Sequence, residues 1–363
     1  MKEVTNGIFL GEVVTEKASI VWVDYMRVIA TLGVVLLHSA APLLYKFNEL
    51  PPGYWWYGNL YDSMVRMCVP LFFMISGCLL LGKQEPLLDF FKKRVNKVVV
   101  PLLAWSLLYI FWKAYVEETD GLSFYSFYSI ALSPAYYHLW FLYAIIGVYL
   151  YLPILRLVVA HSGQTLLNYY LLLWFVAVAV IPFGEKISKI GSKIDLLSIS
   201  GFSGFLVFGY CLAKLKISRG RALVAGMVFL AMVALTACGT YQLTSMNKGQ
   251  LVDYLYGYLA PNVIVMAASF FIVAKYAICE TRLFSTPSAE KVIGSLSSAS
   301  FGIYLIHAAL LSVLNSGALG FVLNGASIHP VLSVPATAIL AFMLSYMVIL
   351  AIRGVPLLRK IAP

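Results

Sequence analysis

The sequence predicts an all-α, polytopic integral membrane protein of about ten transmembrane helices, with both termini on the cytoplasmic side. Hydrophobic residues make up 61% of its 363 residues and charged residues only 12%, which leaves too little polar surface for a water-soluble globule. The apolar residues gather into stretches of about 20, the length at which a helix crosses a hydrocarbon core of ~30 Å. Lysine and arginine, finally, are shared unevenly between the segments that join those stretches.

Taken in order, residues 1–19 carry Glu3, Glu12, Glu16 and Lys17 around one short apolar patch. They lack the basic start, long apolar run and small-residue cleavage site of a secretory signal, and read as a cytoplasmic tail. Spans follow at 20–44, 59–82, 98–117, 136–155, 165–183, 197–213, 222–242, 253–275, 297–317 and 330–352. Together they form a single membrane domain, 20–353, followed by a cytoplasmic tail, 354–363. The last two spans come from one charge-free run, Val292 to Ile352, which is too long for a single crossing. Asn315, Gly317, Gly320, Asn324, Gly325 and Pro330 supply its break.

With the N-terminus inside, eighteen of the 26 lysines and arginines fall on inner segments and six on outer ones. Arg27 and Arg66 lie within spans. This bias fits the positive-inside rule of a cell inner membrane and assigns the net charge of +10 to the bilayer, not to nucleic acid. The five cysteines are scattered through apolar runs without metal-ligand spacing, so no metal is expected.

Charge at bilayer depth is costly, which makes each ionisable residue inside a span a candidate for function. In the first span Arg27 and His38 stand eleven residues apart. At 100° per residue they share a face, with a rise of ~16 Å between them. Asp24, three residues before Arg27, is placed to pair with it. Arg66 in the second span is expected near the depth of His38, with Asp62 four residues before it. Below it Val69-Pro70-Leu71-Phe72-Phe73-Met74-Ile75-Ser76-Gly77 combines a helix-interrupting proline with small residues, which allow close helix approach or a ligand. Lys92, Lys93, Arg94 and Lys97 form a basic collar before the third span, suited to anionic lipid or to phosphates. There is no glycine-rich phosphate loop, so any nucleotide must be held mainly by side chains. His138 falls in an aromatic belt with Trp140, and His307 falls mid-span.

These strings resemble membrane acyltransferase family 3. Arg27, ten residues and His38 are similar to its Arg-x10-His signature, and Val69 to Gly77 to its Phe-Phe-x-Ile/Leu-Ser-Gly motif. Lys93-Arg94 with Lys97 and Pro101 resembles its basic segment before the third helix. Trp140-Phe141-Leu142-Tyr143 and Gly302-Ile303-Tyr304-Leu305-Ile306-His307 resemble two further patches, all in family order. Arg66 shortly before Val69 looks most like the branch that O-acetylates enterobacterial common antigen. Lys97 departs from the arginine of many members, which weakens bidentate phosphate binding more than catalysis.

The resemblance implies acetyl transfer from cytoplasmic acetyl-CoA to a hydroxyl of a cell-envelope glycan or its lipid-linked precursor. It implies His38 and Arg27 as essential residues, with Asp24 and Arg66 beside them. Lys93, Arg94, Lys97 and Ser76 are then expected at the donor, and His138, Trp140 and His307 at the acceptor. A neutral imidazole is a suitable general base for a sugar hydroxyl, either by direct transfer or through an acyl-His38 relay. A fixed arginine is a suitable oxyanion donor. A transporter or flippase, or a non-catalytic assembly factor for envelope polysaccharide, are the competing readings. The first of these would more often show inverted repeats, which are not evident here.

Overall fold

The computed structural model describes residues 18–117, 130, 133–188, 201–280 and 286–363. All regular structure in them is helical. The helices are α1 (Ala18–Leu44), α2 (Pro52–Val65), α3 (Cys68–Leu80), α4 (Leu87–Arg94), α5 (Val100–Glu117), α6 (Trp140–His161) and α7 (Gln164–Phe175). They continue with α8 (Ile181–Ser188), α9 (Ser203–Lys214), α10 (Arg219–Met246), α11 (Pro261–Cys279), α12 (Pro287–Ser316) and α13 (Pro330–Gly354). Wide π-helical turns, Val95–Val99 and Val176–Val180, carry α4 into α5 and α7 into α8.

Among the described residues nine helical stretches are long and apolar enough to cross a membrane, and α9 is a shorter apolar helix. Each of these ten overlaps one predicted span, though the second and ninth begin about seven and ten residues early. The protein is an all-α multi-pass membrane protein. Residues 1–17 of the N-terminal tail, and the start of the sixth predicted span, lie outside the described residues. The third stretch, Leu87–Val116, begins about ten residues before its predicted start. The charged helix α4, which holds most of the basic collar, continues through the π-helical turn into α5.

Local chemistry fixes the ends. Pro52, Pro261, Pro287 and Pro330 open their helices, where a missing backbone N–H costs nothing. Thr286 caps α12 by accepting from the Ala289 N–H at 3.2 Å. The long charge-free run breaks where its glycines predict, with Gly317 at φ +78 ending α12.

The first two stretches are the most buried, and Gln164–Ile187 is the least buried of the nine. Helix α1 is central, packed by α2, α3, α12 and α13. Helices α3 and α9 approach backbone to backbone: a Cβ on Gly77 would lie 2.0 Å from the Leu206 carbonyl oxygen, and one on Gly209 2.2 Å from that of Met74. This close crossing is the use found for the small residues of the Ser76-Gly77 string.

Candidate active site

Because α1 is central, its polar face looks into the bundle. Arg27 lies one turn above Asp24 and donates to its Oδ1 at 3.1 Å. Ser297 of α12 closes a triangle, accepting from Arg27 Nη1 at 2.7 Å and donating to Asp24 Oδ1 at 2.6 Å. The ion pair is thereby tied to a helix remote in sequence. Ser297 was not foreseen, although the serine-rich stretch Ser295 to Ser300 was visible.

Arg27 lines a cavity of about 670 Å³. Ser76, Arg94 and Lys97 line it too. Arg353 and Arg359, which carried no expectation beyond charge bias, join them, and no aspartate or glutamate is among the described residues that line the cavity, although the terminal residue Pro363 is. Lys93 is placed differently. It is absent from the lining, mostly exposed, and its ammonium is drawn to Glu85 at 2.9 Å. Glu85 lies between the second and third spans and also meets Arg156 at 3.1 Å and Arg94 at 3.8 Å. The hydrogen bond from Lys93, backed by Arg156, holds its carboxyl below the usual carboxylate range. Arg94 lies over the rings of Phe90 and Tyr149, at 4.8 and 5.3 Å, which orients it at the cavity edge.

Eleven residues along α1, His38 lines a second cavity of about 410 Å³. Its polar lining includes Lys46, Tyr137, Ser312, Asn315 and Asn324. Arg27 and His38 therefore open into separate cavities and do not share one passage. Rings fill the interval. Tyr304 and Phe141 line the first cavity, Tyr304 lies 5.8 Å from His307, and His307 stacks on His38 at 5.3 Å.

His138 and His307 join His38, their own rings 5.0 Å apart. Both are buried and neither lines the two cavities. His307 Nδ1 is 2.6 Å from the Tyr304 carbonyl and His138 Nε2 is 3.2 Å from that of Leu305. A carbonyl only accepts, so those nitrogens carry the protons. His307 Nε2 and His138 Nδ1 are then lone pairs, buried and without a hydrogen-bond partner among the described residues. Tyr304 adds a hydroxyl that donates to the His138 carbonyl.

Arg66 is clamped by the fully buried Asp62 and donates to the Tyr256 carbonyl at 3.3 Å. Its guanidinium lies 4.1 Å over the Tyr256 ring and 5.9 Å over that of Tyr258, on which Trp140 stacks at 5.5 Å. Trp140 thus belongs to the arginine's aromatic support and lines neither cavity. Arg66 is an electrostatic neighbour of His38. No group of three or more metal-ligating side chains suited to a metal ion occurs among the described residues.

Fold and site define a polytopic helical membrane protein with a buried histidine cluster set between a basic cavity and a polar one. The chain belongs to acyltransferase family 3, whose model, described as an acyltransferase domain, matches residues 20–350. It is a membrane acyltransferase. No curated protein and no solved structure matches it.

Proposed function

We propose that the protein moves an acetyl group from acetyl-CoA to a hydroxyl of a cell-envelope glycan or its lipid-linked precursor, in the cell inner membrane, with His38 as general base. The observation that carries this reading is the placement of two cavities along α1. Arg27 opens onto a cavity whose charged side chains among the described residues are all basic, and His38 onto one whose polar lining is amide, hydroxyl and ammonium groups.

The basic cavity suits the phosphates of coenzyme A, with Arg94 and Lys97 available to them. The polar cavity suits a sugar. Positive-inside bias puts the basic cavity on the cytoplasmic side, where acetyl-CoA is made, and leaves the polar one for an acceptor at the outer leaflet. The likeness of the Arg66 segment to the enterobacterial common antigen branch favours such a glycan.

His38 takes the hydroxyl proton as the oxygen attacks the thioester carbonyl. The new C–O bond forms, the C–S bond breaks, and the imidazolium returns its proton to the departing thiolate. Arg66, held rigid by Asp62 and Tyr256, is positioned to meet the developing oxyanion. The rings of Tyr304 and His307 must part for the thioester arm to reach His38, whether transfer is direct or passes through an acyl-His38 intermediate.

The test is turnover of acetyl-CoA with envelope glycan acceptor by purified protein. His38→Ala is expected to lower kcat by about 10² or more at unchanged expression. Full activity in that variant excludes both the direct and the relay version. Envelope glycans from cells lacking the protein should also lose an acetyl mass.

A further inference from the structure

We infer that residues 355–363 are part of the donor site and that Arg359 holds phosphate of the nucleotide end of coenzyme A. This inference rests on the donor reading above.

The segment is docked onto the bundle. Arg353 Nε donates to the Ala362 carbonyl at 2.7 Å and its Nη2 to Pro363 O at 2.5 Å. Trp105 Nε1 of α5 donates to the Ile361 carbonyl at 2.8 Å, and Ala362 is fully buried. Arg353 is itself anchored, donating from Nη2 to the Ser298 carbonyl at 2.8 Å. These bonds hold the short helical turn Leu358–Lys360 so that Arg359 lines the 670 Å³ cavity and its neighbour Lys360 does not.

The two arginines are placed differently. Arg353 spends its donors on the Ala362 and Ser298 carbonyls, the Ser298 hydroxyl and the terminal oxygen of Pro363, so it has few free N–H groups to offer the cavity. Arg359 is exposed, makes no ion pair among the described residues, and has Arg353 as an electrostatic neighbour of like sign. Arg359 beside Lys97 and Arg94, with no aspartate or glutamate among the described lining residues and the terminal Pro363 oxygen taken by Arg353, is a field complementary to a multiply charged anion. The free guanidinium fork is the geometry that takes two oxygens of a phosphate at once. The cavity also falls in the size range of cofactor sites. If the basic residues of this segment served only to keep it inside the cell, nothing would distinguish Arg359 from Lys360. The lining does distinguish them.

Equilibrium binding to the full chain in lipid nanodiscs tests this, with coenzyme A and S-acetylpantetheine as the two probes, the second having the thioester arm without the nucleotide. Arg359→Gln should weaken coenzyme A roughly tenfold, the scale of a charge-assisted contact, and leave S-acetylpantetheine unchanged. Arg359→Lys should recover part of the loss, and Lys360→Gln should match the unaltered protein. Unchanged coenzyme A affinity in Arg359→Gln, equal weakening of both probes, or an equal loss in Lys360→Gln overturns the assignment while the donor reading stands. Absence of coenzyme A binding by the unaltered chain overturns both.

Discussion

His307 stacks its ring on that of His38 at 5.3 Å while its Nδ1 proton is committed to the Tyr304 carbonyl. The remaining nitrogen is thus a lone pair, locked in place beside the proposed base and without a partner among the described residues. A buried acceptor without a donor costs about 1–3 kcal/mol, a cost recovered when a donor arrives. The proposed mechanism supplies one, as an acceptor hydroxyl or as the N–H of protonated His38.

His307→Phe, which keeps ring packing and removes the lone pair, should lower kcat on the order of tenfold to a hundredfold. His307→Gln, which keeps an acceptor atom, should retain more. Affinity for acetyl-CoA should stay the same in both, because His307 lies outside the basic cavity. If the phenylalanine variant turns over normally, the lone pair has no part in the reaction.

The triangle of Arg27, Asp24 and Ser297 predicts strong coupling. Ser297→Ala removes an acceptor for the guanidinium and a donor to the carboxylate together, while Asp24→Asn removes the charge. Groups joined in one network couple by about 0.5–3 kcal/mol. A double-mutant cycle on acetyl-CoA affinity should give a value well inside that range. Additive effects would mean that Ser297 does not organise the pair.

The outline of this site was legible in the sequence because it lies on one helix. The eleven-residue spacing of Arg27 and His38, and the three-residue spacing of Asp24 and Arg27, follow from helical geometry alone. The break at Gly317 was legible for the same local reason, a residue suited to positive φ. What stayed hidden depends on contacts remote in sequence. Ser297 meets Asp24 across 273 positions, and Trp105 meets Ile361 across 256. The charge run hides its pairing in the same way: nothing in the spacing separates Lys93 from Arg94, yet Glu85, folded back from the preceding connection, takes the Lys93 ammonium. The rings that separate the two cavities belong to motifs visible in the sequence, but periodicity gives a helix face and not what stands opposite it.

The backbone crossing of α3 and α9 makes a sharp packing prediction. At Gly77 a methyl group would meet the Leu206 carbonyl oxygen at 2.0 Å, and backbone cannot step aside as a side chain would. Gly77→Ala should destabilise the protein by about 2 kcal/mol or more. Gly147→Ala, where nothing lies within 4 Å, is the matched control. Thermal unfolding in detergent should separate them, and equal melting temperatures would contradict the close crossing.

Glu85 predicts a pH dependence of stability. Its carboxyl is held below the unfolded value of 4.5, chiefly by the Lys93 hydrogen bond. A depressed carboxyl stabilises the fold above the unfolded pKa, and that contribution fades as pH falls through the folded value. Acidification from pH 7 into the range below 4.5 should therefore lower the melting temperature of the unaltered protein more than that of Glu85→Gln. At pH 7 the variant should start lower, since Lys93, Arg94 and Arg156 lose their common anion. Parallel pH profiles would show that the cluster contributes nothing to stability.

The two cavities also predict opposite sidedness, on which the whole direction of transfer depends. Ser298 is an exposed residue of the basic cavity, and Ala326 an exposed residue of the polar one. The exposed cysteines Cys238 and Cys279 can be replaced beforehand to lower background. A membrane-impermeant maleimide should then label Ala326→Cys in right-side-out vesicles and Ser298→Cys only in inverted ones, because lysine and arginine gather on the basic side. Saturating acetyl-CoA should slow labelling at Ser298→Cys and leave Ala326→Cys untouched. Labelling of both positions from the same face would place donor and acceptor on one side of the membrane, and the separation of the cavities would then lose its meaning for transfer.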